Sequence, residues 1–154
     1  MNFLHNFKKM MKYIIFTCLF TMTLTKRTVV ITGANRGIGL QATKQLAATG
    51  EWNVVMACRD KDLAEKARNT IPIGKENCEV RQLDLANLAD VKRFCDAWKA
   101  EKRPLNVLAC NAGLQVNSGD KSIPPRFTAD GFELTVGTNH LGHFALIQVR
   151  SIQT

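Results

Sequence analysis

The eight residues Thr32–Gly39, TGANRGIG, carry the most legible chemistry in this chain. They follow the apolar run Thr28–Ile31, which reads as a buried parallel strand, and precede Leu40–Ala48, which reads as an amphipathic helix stopped by Gly50. A strand, a glycine-rich turn and a helix N-terminus in that order form a phosphate cradle. Glycine permits positive φ and lets a ligand approach the backbone. Unpaired amides and the positive end of the helix dipole then face the anion. The spacing is G-x-x-x-G-x-G over Gly33, Gly37 and Gly39. Taken alone, such glycines fit an ordinary βα turn; with this strand and this helix around them they point to a dinucleotide.

The elements that must position this turn alternate along the chain. Asn53–Cys58, Cys78–Leu83 and Leu105–Cys110 read as further strands. Between them, Asp60–Asn69 reads as a helix with Asp60 as its N-cap and Leu63, Ala64 and Ala67 on one face. Asn87 caps a second helix that runs to about Glu101, and a last helix is expected over 131–149. Pro72 and Gly74 mark one loop, and a polar loop runs from Gln115 to Thr128. Alternation of this kind implies an α/β fold, a Rossmann-type doubly wound parallel sheet with helices on both faces. Gly33, Arg59, Asp84 and Asn111 each fall just after a strand, so the fold brings them to one sheet edge, where such sheets bind ligands.

Size and charge narrow the reading. At 154 residues the chain has room for one domain with a real core. Its net charge of +8 includes three lysines in residues 1–25, and the rest is spread thinly. No basic block interleaves with aromatics, which argues against a nucleic-acid partner. The surplus suits an anionic cofactor or an anionic membrane surface. Residues 1–25 form a segment of their own: Lys8, Lys9 and Lys12 precede the apolar stretch 13–24, which reads as a leader or a short membrane anchor. Residues 26–154 then form the dinucleotide-binding part. The five cysteines include no C-x-x-C pair and read as free, buried thiols. His140 and His143 stand three apart with no third ligand at metal spacing, so they read as packing or surface residues and no metal site is expected. Phe94, Trp98 and Phe144 at helical spacing read as core.

With these residues in place, the chain resembles the short-chain dehydrogenase/reductase superfamily. The likeness covers Lys26 to Leu146 and rests on the TGxxxGIG turn, on Asp84-Leu85 after the third strand, and on Asn111-Ala112-Gly113 after the fourth. Within it, the runs TGEWNVVMACRD (49–60) and FTADGFELTVGTNHLGHF (127–144) are similar to the light-dependent protochlorophyllide reductase branch. Retinol dehydrogenase-like enzymes share much of the second run. The resemblance implies a cofactor-binding set of Thr32, Gly33, Asn35, Arg36, Gly37, Ile38, Gly39, Arg59, Asp84, Leu85, Asn111, Ala112 and Gly113. Asp84 and Leu85 are expected to hold the adenine, and Asn111–Gly113 to line the nicotinamide ribose. Cys58 stands where NAD-preferring relatives carry a ribose-binding carboxylate. With Arg36 and Arg59 on either side, the expected cofactor is NADP(H), whose 2′-phosphate arginines pair well. Asn139 resembles the helix asparagine of the family's catalytic tetrad, which holds a water in a proton relay. The implied substrate is a small-molecule carbonyl or a tetrapyrrole.

The family's acid–base pair, a tyrosine with a lysine four residues on, is missing. The only tyrosine is Tyr13, and Thr17 stands four residues after it. The chain is therefore expected to be the cofactor-binding front part of an NADPH-dependent oxidoreductase, inactive by itself, its sheet truncated after the fourth strand and the following helix. The open edge of that strand is expected to favour self-association. The alternatives are a non-catalytic NADP-binding or interaction protein, and a fragment of a retinol dehydrogenase-like carbonyl reductase. The expected location is a plastid or a membrane, and otherwise the cytoplasm.

Overall fold

The structure is a computed structural model that describes residues 26–116 and 124–148. The apolar stretch 13–24, Cys18, His5 and the tail beyond Gln148 lie outside the described residues. Four strands form one parallel sheet: β1 (Arg27–Thr32), β2 (Trp52–Cys58), β3 (Cys78–Gln82) and β4 (Val107–Ala109), in the order β3-β2-β1-β4. The chain builds outward from β1 to β3 and then crosses back to the far side of β1. That reversal sets the switch point between β1 and β4, above which open α/β sheets hold ligands.

The register puts alternate rows of side chains on opposite faces. Val107, Val29, Val54 and Cys78 lie in one row, and Leu108, Val30, Val55 and Glu79 in the next. The Val29 face packs under helices α1 (Gly37–Ala48) and α2 (Lys61–Asn69), through Ala47, Ala64 and Ala67. The Val30 face packs under α3 (Leu88–Ala100), through Val91, Phe94, Cys95 and Trp98, and under a last helix through Leu146. That last helix, α4, is composite: an α turn Leu134–Val136, a π-helical stretch Gly137–Leu141, and an α segment Gly142–Ile147. Val30, Val54, Val55 and Met56 are fully buried, each worth roughly 1.5–3 kcal/mol of burial. Because both faces are covered, the central strands read as unbroken apolar runs rather than alternating ones.

Asp60 and Asn87 cap their helices as expected, accepting from the amides of Leu63 and Asp90. Three expectations need correction. Leu63 is half exposed, because the first turn of α2 lies beyond the end of β2 and over the ligand edge. Phe144 is exposed on α4, where the π-helical stretch shifts the phase of the helix. Cys110 is exposed, because β4 ends one residue before it, whereas Cys58, Cys78 and Cys95 are buried.

Candidate functional site

The glycine turn is held open by its neighbours. Gly33 continues the end of β1, its amide donating to the Ala57 carbonyl at 2.9 Å. Gly33 and Gly37 have φ of +66° and +56°, a region that costs other L-residues roughly 1 kcal/mol or more. Gly39 matters for room rather than φ. A Cβ there would stand 2.5 Å from Asn111 Nδ2 and 2.7 Å from the Gly33 carbonyl oxygen. The N-termini of α2 and α3 have side-chain caps and an acid in the first turn, whereas α1 has neither. Its first amides are left to water or to an anion.

Around this turn lies a cleft of about 240 Å³. Of the residues expected to bind cofactor, Gly33, Asn35, Arg36, Arg59, Asp84, Leu85, Ala112 and Gly113 line it. Arg36 and Arg59 are exposed, and neither has an ion-pair partner among the described residues. Asp60 also lines the cleft, but its Oδ1 caps α2. Cys58 is buried at the end of β2, between the lining residues Ala57 and Arg59; burial pushes its thiol above the usual range, and the backbone amides of Ala34 and Asn35 offset part of the rise. The last residue of β2 therefore offers no carboxylate to a ribose; the acid that follows in the cleft lining, Asp60, caps α2 through Oδ1.

The other expected residues hold the cleft's walls. Thr32 is fully buried, and its hydroxyl accepts the amides of Asn111 and Ala112, both at 2.9 Å. Asn111 turns its carboxamide back to the Thr32 carbonyl at 2.9 Å, fixing the loop after β4 against the turn. Ile38 projects outward from the start of α1, 83% exposed. Asp84 uses one carboxylate oxygen to accept the Ala86 amide, while its own amide donates to Asp90. Leu85 is buried and meets Gly142 of α4, where an added Cβ would overlap the Leu85 carbonyl. Gly113 differs from the other tight glycines. A Cβ there would lie 3.6 Å from Asn139 Oδ1, an ordinary contact, so packing within the protein does not require a glycine at 113.

Asn139 lies in the π-helical stretch, and its side chain both donates to the Leu114 carbonyl, at 2.8 Å, and accepts the Leu114 amide, at 2.9 Å. It pins the loop after Gly113 to α4. Sequence reasoning missed His143 as a site residue. His140 is exposed, but His143 is buried, with Nε2 2.9 Å from Thr32 Oγ1 and Nδ1 3.0 Å from the Asn139 carbonyl. Nothing in the spacing of two histidines signals this, because it depends on the helical phase set by the π turn. Gly142, beside it, was likewise not singled out.

Known proteins match this arrangement. The family model described as short chain dehydrogenase matches residues 27–151. The chain is 53% identical over 124 residues to "Protochlorophyllide reductase, chloroplastic" of Cucumis sativus, covering 80% of this chain and 30% of that one. It thus spans about a third of that relative's length. Among solved structures it is similar to an uncharacterised protein from Mycobacterium paratuberculosis, at 43% identity and TM-score 0.65, over 80% of this chain and 41% of the other. It is also similar to 3-ketoacyl-(acyl-carrier-protein) reductase from Brucella melitensis, complexed with NADH, at 25% identity and TM-score 0.63, over 82% and 49%. A glycine turn, an uncapped helix behind it and the Asn111 and Asn139 braces all lie within the matched stretch, and the chain belongs to the short-chain dehydrogenase family.

Proposed function

We propose that this chain is the cofactor-binding part of an NADPH-dependent oxidoreductase similar to protochlorophyllide reductase. The observation that carries the reading is the pair of guanidiniums, Arg36 and Arg59, beside one cleft and without an ion-pair partner among the described residues, with a buried thiol where a ribose-binding carboxylate would exclude a phosphate. The residues fit a dinucleotide. The diphosphate would sit on the free amides at the start of α1, because no side chain competes for them. Asp84, with its second oxygen free among the described residues, would accept the adenine amine. Gly113, free of any packing demand, would give the nicotinamide ribose room against the backbone. When bound, the cofactor supplies a hydride. What this chain contributes is to bind it, orient it and fix the wall that Asn139 braces.

The substrate reading rests on likeness. The matched relative is a chloroplastic protochlorophyllide reductase, which supports a tetrapyrrole substrate and a plastid location for the whole protein. No helix among the described residues is long and apolar enough to cross a membrane. The cofactor reading is tested by replacing Arg36 and Arg59 together with alanine. Exposed charged contacts are worth up to about 1 kcal/mol each, and more when bidentate to phosphate. NADPH binding should weaken by roughly 10- to 100-fold and NADH binding by less than about threefold. Equal losses for both would remove the 2′-phosphate argument.

A further inference from the structure

His143 is a buried polar group to which the cofactor reading gives no role. His143 lies in α4, away from the cleft lining, yet it touches both ends of the site. Its hydrogen-bond logic is closed. Nδ1 faces the Asn139 carbonyl at 3.0 Å. A carbonyl oxygen only accepts, so Nδ1 must carry the proton. In the neutral ring Nε2 is then bare and needs a donor. The group opposite it, at 2.9 Å, is the Thr32 hydroxyl. That oxygen already accepts the amides of Asn111 and Ala112 at 2.9 Å each, so both of its lone pairs are used and its proton is free to point at Nε2. The Ala109 carbonyl, 3.3 Å away, is the more distant alternative acceptor. Every donor and acceptor in the group is matched by one tautomer.

We infer that His143 is a positioning residue. As the Nδ1–H tautomer it ties the backbone of Asn139, in the π-helical stretch, to the Thr32 hydroxyl at the foot of the dinucleotide turn. The same hydroxyl holds the loop of Ala112 and Gly113. One side chain thus sets the separation of three parts: the turn, the loop after β4, and the helix that carries Asn139. Displacing a positioned group by an ångström is enough to cost binding or rate. The role deepens the cofactor reading and rests on it for its effect on binding, although the clamp itself is a property of the chain without ligand.

Two measurements on the 154-residue chain decide it. Histidine labelled with ¹⁵N, assigned by comparison with His143→Gln, should show the Nδ1–H tautomer at His143; the Nε2–H tautomer would overturn the clamp. NADPH titrations then compare three variants. Glutamine places an acceptor where Nε2 stands; it gives up the Asn139 carbonyl but keeps the link to Thr32, the end of the clamp that holds the dinucleotide turn and the loop of Ala112 on which cofactor binding depends. Asparagine reaches only the Nδ1 position, and phenylalanine fills the space with no polar atom. His143→Gln should bind NADPH within about threefold of the parent, whereas His143→Asn and His143→Phe should lose about tenfold, the scale of one or two hydrogen bonds. Rescue by glutamine and not by asparagine is the result that a purely space-filling role would not give. Losses that follow melting temperature, with glutamine and asparagine alike, would refute the inference. If the parent chain failed to bind NADPH, the cofactor reading would fall while the tautomer still decided the clamp. If His143→Phe failed to fold, the tautomer and the glutamine–asparagine pair would decide it.

Discussion

Gly39 and Gly113 separate the two reasons a glycine can be needed, and replacing each with alanine tests the site from both sides. At Gly39 an added Cβ meets Asn111 Nδ2 at 2.5 Å and the Gly33 carbonyl at 2.7 Å. Restoring both contacts to 3.4 Å, where ordinary packing begins, requires shifts of about 0.9 and 0.7 Å. Neither neighbour can yield cheaply. Asn111 Nδ2 is bonded to the Thr32 carbonyl, and Gly33 is bonded to Ala57 across the sheet. Overpacking of this kind costs about 1–3 kcal/mol, and the loss of one hydrogen bond adds about 1 kcal/mol. Gly39→Ala should therefore lose about 2–4 kcal/mol of stability, a fall of roughly 6–12 °C for a domain of this size. At Gly113 the nearest atom to an added Cβ is 3.6 Å away. Gly113→Ala should leave stability within about 0.5 kcal/mol, while a methyl group in the space proposed for the nicotinamide ribose should weaken NADPH binding by roughly 5- to 100-fold. Thermal unfolding and NADPH titration on both variants read the two effects separately. If Gly113→Ala bound NADPH like the parent, the cofactor would not run along that loop. If Gly39→Ala melted like the parent, the account of the turn would be wrong.

Further outcomes follow from the caps and the thiols. Asp60→Ala should cost about 1 kcal/mol through the lost N-cap of α2 without weakening NADPH, because the Asp60 carboxylate caps a helix and does not pair with Arg59; weaker binding would show that Asp60 positions Arg59 after all. Burial raises the thiols of Cys58, Cys78, Cys95 and Cys110 alike, so access to the reagent rather than thiolate content separates them: Cys110 is exposed and the other three are buried. Iodoacetamide at about pH 8 should therefore modify exposed Cys110 first and the buried three slowly while the chain is folded, as read by mass spectrometry of peptides. Equal rates at Cys110 and Cys58 would contradict the burial of Cys58 at the end of β2.

Much of this architecture is legible in the residues themselves. Val29-Val30-Ile31 and Val54-Val55-Met56 are unbroken apolar runs because both sheet faces are covered. Asp60 and Asn87 announce their helices because their side chains satisfy orphan amides. Gly33, Arg59, Asp84 and Asn111 could be placed at one sheet edge because a parallel sheet delivers every strand end there, and the first three line the cleft. What periodicity does not carry is phase across an irregular turn. The π-helical stretch over Gly137–Leu141 rotates the residues after it, so Phe144 faces out and His143 faces in. Nor does it carry where a strand stops: β4 is three residues long rather than six, which leaves Cys110 outside the core. Asn111, expected to line the nicotinamide ribose, braces the Thr32 carbonyl and is not among the residues lining the cleft, a contact that no spacing in the sequence signals.

The central claim is that this chain holds a phosphorylated nicotinamide dinucleotide on the amides of Gly37 and its neighbours, with Arg36 and Arg59 on the extra phosphate. Calorimetric titration of the folded chain with NADPH and with NADH, each at low and at moderate salt, tests it most directly. NADPH should bind at least about tenfold more tightly than NADH, and the gap should narrow as salt screens two exposed guanidiniums. Equal affinities, or a gap that ignores salt, would contradict it.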